Sequence, residues 1–348
     1  MIKNIYKGVL FMKKMVFLFS VACLLPIFVF NDISEAATKY RLASHYAAGY
    51  FVNNGFRRMI DKIKKDTNGS VDITFYESGQ LGGYQQVFQE VMRGTIDMQA
   101  NFATSRFNKK FEIGFTPGLA SGFDEIEKLL KRDSPFSKFM EAAYKECGVI
   151  YIGSFLDTIA GASIAKGIAI DHPFDTSNKA CQMRVVSINS ARKWYSSMGY
   201  QIVTIPYAEV FTSMQTGILG GDSGSGPEGV YVTFKDVVGS YIEYQNLFFT
   251  LDFVISEKTW NTFDEQTKKI IIDAFEKESI NVAKESRISY KKYIDLMKKA
   301  GIKIISPTVE ELAFMDEVAR KESWPVCAKY TGTKIFDDIS RYLGKKKK

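Results

Sequence analysis

The chain has 348 residues, 46% of them hydrophobic, which is enough to bury a sizeable core and excludes an intrinsically disordered protein. Its formal net charge of +7 is concentrated near the N-terminus and in the basic tail, residues 345–348. The rest is close to neutral, which argues against a nucleic-acid-binding surface and indicates a solvated tail.

The N-terminus has the order of a secretory signal. Lys13 and Lys14 precede an apolar run, residues 15–30, which Pro26 interrupts and which ends before polar residues and Ala36. A membrane span would need roughly 18 to 20 apolar residues. We therefore expect residues 1–36 to be a signal peptide that is cleaved near Ala36, leaving a periplasmic protein.

Two features of this leader stay open. Met12 is followed directly by lysines, so either Met1 or Met12 is a suitable start. Lipid anchoring at Cys23 is the less favoured alternative, because residue 20 is serine where a leucine is expected.

Three cysteines remain after cleavage: Cys147, Cys181 and Cys327. Their number is odd and no CxxC spacing occurs, so one disulfide is possible and the pair that would form it stays open. His45 and His172 are the only histidines, and no metal-ligand spacing is present. We expect neither a metal nor another cofactor.

The first part of the mature chain alternates strands with helices. Strands are predicted at residues 40–44, 71–75 and 96–98, with helices around residues 56–63 and 84–92. This order predicts parallel pairing through right-handed crossovers.

A second alternation follows a Gly-rich apolar stretch, residues 151–170. Strands are predicted at 183–186 and 200–205, with helices at 190–198 and 209–216. The two units predict an α/β protein with a two-lobed, periplasmic-binding-protein-like fold and a ligand cleft between the lobes.

Residues 264–300 contain neither proline nor glycine and carry an apolar stripe with helical spacing. A single helix of that length would be roughly 50 Å long and could brace both lobes. Gly301 ends it, and Thr308 to Glu311 has the spacing of a further helix start.

We expect the chain to be divided between two lobes. We expect lobe 1 to contain residues 37–158 and about 250–285. Lobe 2 would contain residues 159–249 and about 286–344, including the C-terminal helices.

Several motifs in order resemble one known family, the DctP-type solute-binding proteins of tripartite ATP-independent periplasmic (TRAP) transporters. They are Ser78-Gly79-Gln80-Leu81-Gly82-Gly83, Val91 to Asp97, Met183-Arg184-Val185, Ile205 to Phe211 and Gln215-Thr216-Gly217. The resemblance implies a receptor, not an enzyme, that binds a small organic acid and delivers it to a membrane permease. The oligomeric state stays open, with a monomer as the default.

The resemblance also implies ligand-binding residues. Arg184 occupies the place of the arginine that pairs with the ligand carboxylate, which a planar guanidinium suits; an ion pair with an Asp or Glu of the protein is the alternative. Further candidates are His45, Tyr207, Asn246 and Phe249. The alternative for His45 is a satisfied core or surface histidine, and the alternative for Tyr207 is core packing.

The chain departs from the family where many members carry a second arginine, because it reads Ala160-Gly161-Ala162-Ser163 there. A two-arginine clamp on a dicarboxylate is therefore not expected. The groups that contact the other end of the ligand are not identified.

Two other functions compete with the receptor. Gly221-Asp222-Ser223-Gly224 matches the nucleophile loop of serine proteases, but the chain lacks their all-β pattern and the G-x-S-x-G elbow. A non-catalytic adhesive or structural exported protein is the third alternative.

Overall fold

The computed structural model describes residues 38–102 and 104–345. The predicted signal peptide, its start and its cleavage site lie outside the described residues, as do the last three lysines. The strands are β1 Thr38–Ala43, β2 Val71–Tyr76, β3 Met98–Asn101, β4 Val149–Ala165, β5 Gln182–Arg184, β6 Gln201–Val203, β7 Gly221–Asp222, β8 Val238–Ser256 and β9 Lys303–Ile305.

The helices follow in the same numbering. They are α1 Phe51–Asp66, α2 Tyr84–Arg93, α3 Gly122–Leu129, α4 Pro135–Lys145, α5 Asn189–Ser197, α6 Val210–Gln215, α7 Pro227–Gly229, α8 Glu257–Trp260, α9 Glu265–Lys299, α10 Val309–Val318, α11 Trp324–Thr331 and α12 Lys334–Leu343. Short 3₁₀ segments cover Lys109–Phe115 and Tyr207–Glu209, and π-helical turns cover Val230–Phe234 and Ala319–Ser323.

The described strands form one mixed sheet in the order β2-β1-β3-β8-β4-β7-β5-β6, with β9 beside β8. β1 pairs in parallel with β2 and β3, and β5 pairs in parallel with β6 and β7. These two groups are the predicted α/β units, so the predicted parallel pairing and fold class are confirmed.

The Gly-rich stretch between the units is a strand rather than a separator. β4 runs antiparallel to β8 from Val149 opposite Ser256 to Ala165 opposite Val238. β3 pairs with the Asp252 end of β8, and β7 pairs with the Ser163 end of β4. The two lobes are therefore joined by a pair of long strands. This stretch forms a strand because its small and apolar residues suit a sheet covered on both faces.

The buried apolar side chains form four clusters, and the two ends of α9 contribute to different ones. Ile271 and Phe275 near the start of α9 pack with α1 and β1, whereas Ile294 and Met297 near its end pack with α6. Its 35 residues correspond to roughly 50 Å. The predicted long helix and its bracing role are confirmed.

The starts and ends of other helices follow the local sequence. Thr308 and Glu311 form the predicted reciprocal capping pair at the start of α10. Gly94 adopts a left-handed conformation, with φ of 71°, where α2 ends. Local residues therefore set these limits.

Gly153 lies where β4 passes under α9, and we predict that a methyl group there is costly. An added Cβ would lie 2.2 Å from Cε1 of Phe275, whose ring stacks on Phe155 at 4.6 Å. Overpacking of this kind costs about 1 to 3 kcal/mol. Urea denaturation should show a free energy of unfolding about 2 kcal/mol lower for Gly153→Ala, whereas Gly114→Ala, with open space around it, should stay within about 0.5 kcal/mol. Equal losses in both variants would contradict the packing argument.

Candidate functional site

Arg184 is the last residue of β5, where that strand pairs in parallel with β6 and β7. Its side chain is 11% exposed, and Nε donates to the carbonyl oxygen of Ile205 at 3.3 Å. Nη1 lies 3.2 Å from Oδ1 of Asp222, which is fully buried on β7. Burial raises the pKa of Asp222, and the guanidinium charge opposes that rise. The pairing with an acidic residue, which the sequence left as an alternative, is therefore present.

Tyr207 lies beside this pair. The guanidinium carbon of Arg184 is 5.7 Å from the centre of its ring, and its hydroxyl is 3.2 Å from Oγ of Ser225. A Cβ at position 224 would lie 2.3 Å from Nη1 of Arg184, so glycine is required there for the arginine to fit. The structure thus brings two predicted site residues, Arg184 and Tyr207, into one group.

The loop that resembles a protease nucleophile loop is structural support for Arg184. The hydroxyl of Ser223 is buried and donates to the carbonyl oxygen of Arg184 at 3.0 Å. The backbone N–H of Gly224 and the hydroxyl of Ser225 donate to Oδ2 of Asp222. The hydroxyl of Ser223 is therefore used in a hydrogen bond to the main chain, and it is not paired with a histidine as a nucleophile would be.

His45 follows β1 and is held by Asn101 at the end of β3. Its backbone N–H donates to Oδ1 of Asn101 at 2.9 Å, and its ring nitrogen Nδ1 contacts the same oxygen. Burial lowers the pKa of His45, and the hydrogen bond with Asn101 opposes this. The ring is therefore a neutral polar group at pH 7.

A wall of aromatic rings extends from His45, and we call it the aromatic wall; its rings are Tyr46, Tyr50, Tyr84, Phe102, Phe115 and Phe249. The ring of Phe102 lies 4.9 Å from that of His45 and 6.5 Å from that of Phe249. Five of the six rings are partly exposed, and Phe249 is 7% exposed. His45 and Phe249, predicted separately, therefore belong to one surface, and Phe102 connects them.

Asp157 lies behind the aromatic wall and was missed by the sequence analysis. Its two carboxylate oxygens each accept a hydrogen bond of 2.6 Å, one from Tyr46 and one from Tyr50. It is 4% exposed, and burial raises its pKa to about 6 against the opposing effect of the two tyrosines. Asp157 is the only charged residue in β4, and this isolation was the signal that could have identified it.

Asn246 lies where β8 departs from regular pairing. The register with β4 skips between Leu247 and Ile242, and Gln245 has a left-handed φ of 57°. The side chain is 1% exposed, and neither its oxygen nor its nitrogen has a hydrogen-bond partner among the described residues. A buried amide in this state requires water or a ligand, because unpaired burial is costly.

The loop that supports Arg184 also reaches the strand that carries Asp157. A Cβ at position 226 would lie 2.1 Å from Oγ1 of Thr158, so Gly226 packs directly against β4. Thr158 is opposite Phe249 in the sheet. This contact places the surroundings of Arg184 next to the aromatic wall.

Other kinds of site are not found at Arg184. A cavity of about 390 Å³ opens beside Tyr84 and Arg106, with polar glutamine side chains in its wall, and does not include Arg184. In residues 38–102 and 104–345, no three His, Cys, Asp or Glu side chains are grouped to hold a metal ion, and Cys147, Cys181 and Cys327 are free and buried. None of the described helices has the length and apolar character needed to cross a membrane.

Comparison with known proteins gives a consistent result. The family model DctP, described as bacterial extracellular solute-binding protein, family 7, matches residues 42–327. The sialic acid-binding periplasmic protein SiaP of Vibrio cholerae serotype O1 is 20% identical over 280 residues, which are 79% of this chain and 85% of SiaP.

Solved structures show the same fold. One is a TRAP periplasmic solute-binding protein from Ochrobactrum anthropi, which has its C-terminus bound in the ligand-binding pocket. It is 19% identical, with a TM-score of 0.77, and the match covers 88% of this chain and 94% of the Ochrobactrum chain. Another from Desulfovibrio salexigens, with bound orotic acid, is 19% identical with a TM-score of 0.75, covering 88% and 97% respectively.

Proposed function

Since the chain belongs to the DctP family of bacterial extracellular solute-binding proteins, we propose that it binds a small organic acid outside the cytoplasmic membrane and delivers it to the permease of a TRAP transporter. The relatives support the substrate class: one is named for sialic acid and another holds orotic acid. The proposal includes export with removal of residues 1–36 and action as a monomer. It includes no chemical step.

The observation that carries the proposal is the position of Arg184. It lies at the end of a strand beside the aromatic wall, nearly buried, with Nε and Nη1 fixed by Ile205 and Asp222. A guanidinium held in one orientation loses little entropy when it pairs with a carboxylate, and exclusion of water strengthens the pair. Arg184 is thus suited to anchor an acid without transforming it.

Asn246, His45 and Phe249 would contact the remainder of the guest. The unpaired amide of Asn246 offers two N–H donors and a carbonyl oxygen acceptor, and neutral His45 offers polar contact without charge. Phe249 and Tyr207 offer apolar faces. These roles give the site one charged anchor and several neutral contacts.

Movement of the two lobes toward each other would bring these groups around the guest. We place the bending points in β4 and β8 near the predicted lobe boundaries at residues 158 and 249, because the paired register shifts between Leu156 and Thr158. Irregular pairing lowers the resistance of a strand to bending. The predicted lobe boundaries themselves remain part of this proposal.

The proposal is tested by ligand-dependent thermal unfolding of the purified mature chain with a broad panel of organic acids. An acid present at a hundredfold excess over its Kd should stabilise the protein by about 3 kcal/mol. A shift with one chemical class of acid supports the receptor. No shift with any acid would favour the adhesive protein instead, and turnover of an ester that Ser223→Ala abolishes would favour the hydrolase.

Asn246 offers a second, independent prediction. Asn246→Leu should lower affinity for the guest at least about tenfold, because its hydrogen bonds to the guest are lost. The same change should leave the free energy of unfolding unchanged or raise it by about 1 kcal/mol, since an unpaired buried amide is removed. Calorimetry and urea denaturation measure the two effects, and a loss of stability with unchanged affinity would show that Asn246 is a structural residue only.

A further inference from the structure

Asp222 changes the charge that a guest meets at Arg184. The guanidinium and this carboxylate are 3.2 Å apart and the carboxylate is fully buried, so the pair is neutral before a guest arrives. Gly224 and Ser225 also donate to Asp222, which keeps it in place. A guest carboxylate therefore adds an uncompensated negative charge to a buried site, which is costly.

Asp157 adds a second buried carboxylate on the other side of the site, near the point where Gly226 packs on Thr158. Among the described residues, the contacts of Asp157, Asp222, His45 and Tyr207 include one cationic side chain, Arg184. These groups thus comprise two carboxylates and one guanidinium, and Glu228 is a third acid whose charge acts on Asp157, Tyr46 and Tyr50. A dicarboxylate guest would make this imbalance worse.

The aromatic wall is suited to a cation. The rings of Tyr46 and Tyr50 stack 4.7 Å apart, and both hydroxyls donate to Asp157. Ring faces attract ammonium groups, most strongly where water is excluded. The negative charge of Asp157 behind the two tyrosine rings adds to that attraction.

From these contacts we propose that the guest is a zwitterion, an acid that also carries a protonated amine. Its carboxylate lies on Arg184, and its ammonium group lies against the aromatic wall, where its charge offsets the two buried carboxylates. The proposal rests on the receptor function and specifies its substrate class. Asp222 is then the residue that selects against acids without a basic nitrogen.

The test is calorimetry with ligand sets matched in carbon skeleton. One set is 4-aminobutyrate, butyrate and succinate; another is norvaline, pentanoate and glutarate. Gluconate represents a hydroxylated acid without nitrogen, and proline adds a further zwitterion. We expect at least one zwitterion to bind, at least tenfold more tightly than the acids without nitrogen. The proposal is overturned if no zwitterion binds, or if an acid without nitrogen binds as tightly as the zwitterion with the same carbon skeleton.

Asp222→Asn provides a second readout. It should reduce the preference for the zwitterion over its nitrogen-free partner at least fivefold, whereas Glu278→Gln, a buried carboxylate paired with Arg58, should leave the preference unchanged. An unchanged preference in Asp222→Asn would remove Asp222 from selection. The wild-type panel remains decisive if this variant does not fold.

The two levels of the proposal fail separately. If an acid without nitrogen binds at least as tightly as the zwitterions and its affinity depends on Arg184, the receptor function stands and the proposal of a zwitterionic guest is wrong. If no acid of any kind binds, the receptor function itself fails.

Discussion

Replacing Arg184 with alanine should weaken binding of the guest acid at least about 30-fold. A buried carboxylate that loses its charged partner costs about 2 to 5 kcal/mol, because it remains desolvated and unpaired. Arg184 is 11% exposed and its environment excludes most water, so bulk solvent cannot replace the lost contact. Isothermal titration with the acid found by thermal unfolding measures the effect.

The single variant also leaves Asp222 buried without its cation, which is strongly destabilising by itself. The double variant Arg184→Ala with Asp222→Asn removes both charges, so it separates loss of binding from loss of folding. We expect the double variant to unfold cooperatively and to bind as weakly as the single one.

Arg184→Lys adds a graded test, because an ammonium keeps the charge without the planar pair of donors. Its affinity should lie between those of the wild type and the alanine variant. Arg93→Ala, on the exposed end of α2, is the matched control and should bind normally. Wild-type affinity in the double variant would mean that Arg184 is not the anchor.

Asp157 should make the stability of the fold depend on pH. Its pKa is about 6 in the folded protein against 3.8 for an unperturbed group, so the native state holds this proton more tightly than the unfolded state does. The free energy of unfolding therefore falls as pH rises from about 4 to about 6 and then levels off. At about 1.4 kcal/mol per pKa unit, this group accounts for about 3 kcal/mol.

Urea denaturation at several pH values, for the wild type and for Asp157→Asn, isolates this effect from other titrating groups. The stability of the wild type relative to the variant should fall by about 2 kcal/mol between pH 4 and pH 7, because part of the total is already lost at pH 4. Asp295→Asn, at an exposed position of α9, should keep the pH dependence of the wild type. A difference that is constant with pH, or that rises with it, would contradict the assignment.

The elements that the sequence predicted well are those that local residues determine. Helix α9 has a long uninterrupted stripe, and α10 has its capping residues within four positions, so neither depends on distant contacts. Strand β4 was not recognised, because its continuous apolar residues have no alternation when both faces are covered. Its burial depends on β8, which is about 90 residues away in the chain.

In the candidate site, too, the features set by local residues could be predicted and those set by distant contacts could not. Arg184 was found through its strand motif, but its partner Asp222 is 38 residues away, on β7, within the motif that resembles a nucleophile loop. The pair formed by Asp157 with Tyr46 bridges 111 residues. Such contacts depend on the packing of the lobes, so neither spacing nor composition could have predicted them.

A crystal structure of the mature protein grown with its identified guest would test the central claim most directly. The account predicts the intact, unmodified acid between the lobes, with its carboxylate oxygens about 3 Å from the guanidinium nitrogens of Arg184. A guest bound elsewhere, with Arg184 in contact only with Asp222 and Ile205, would contradict it.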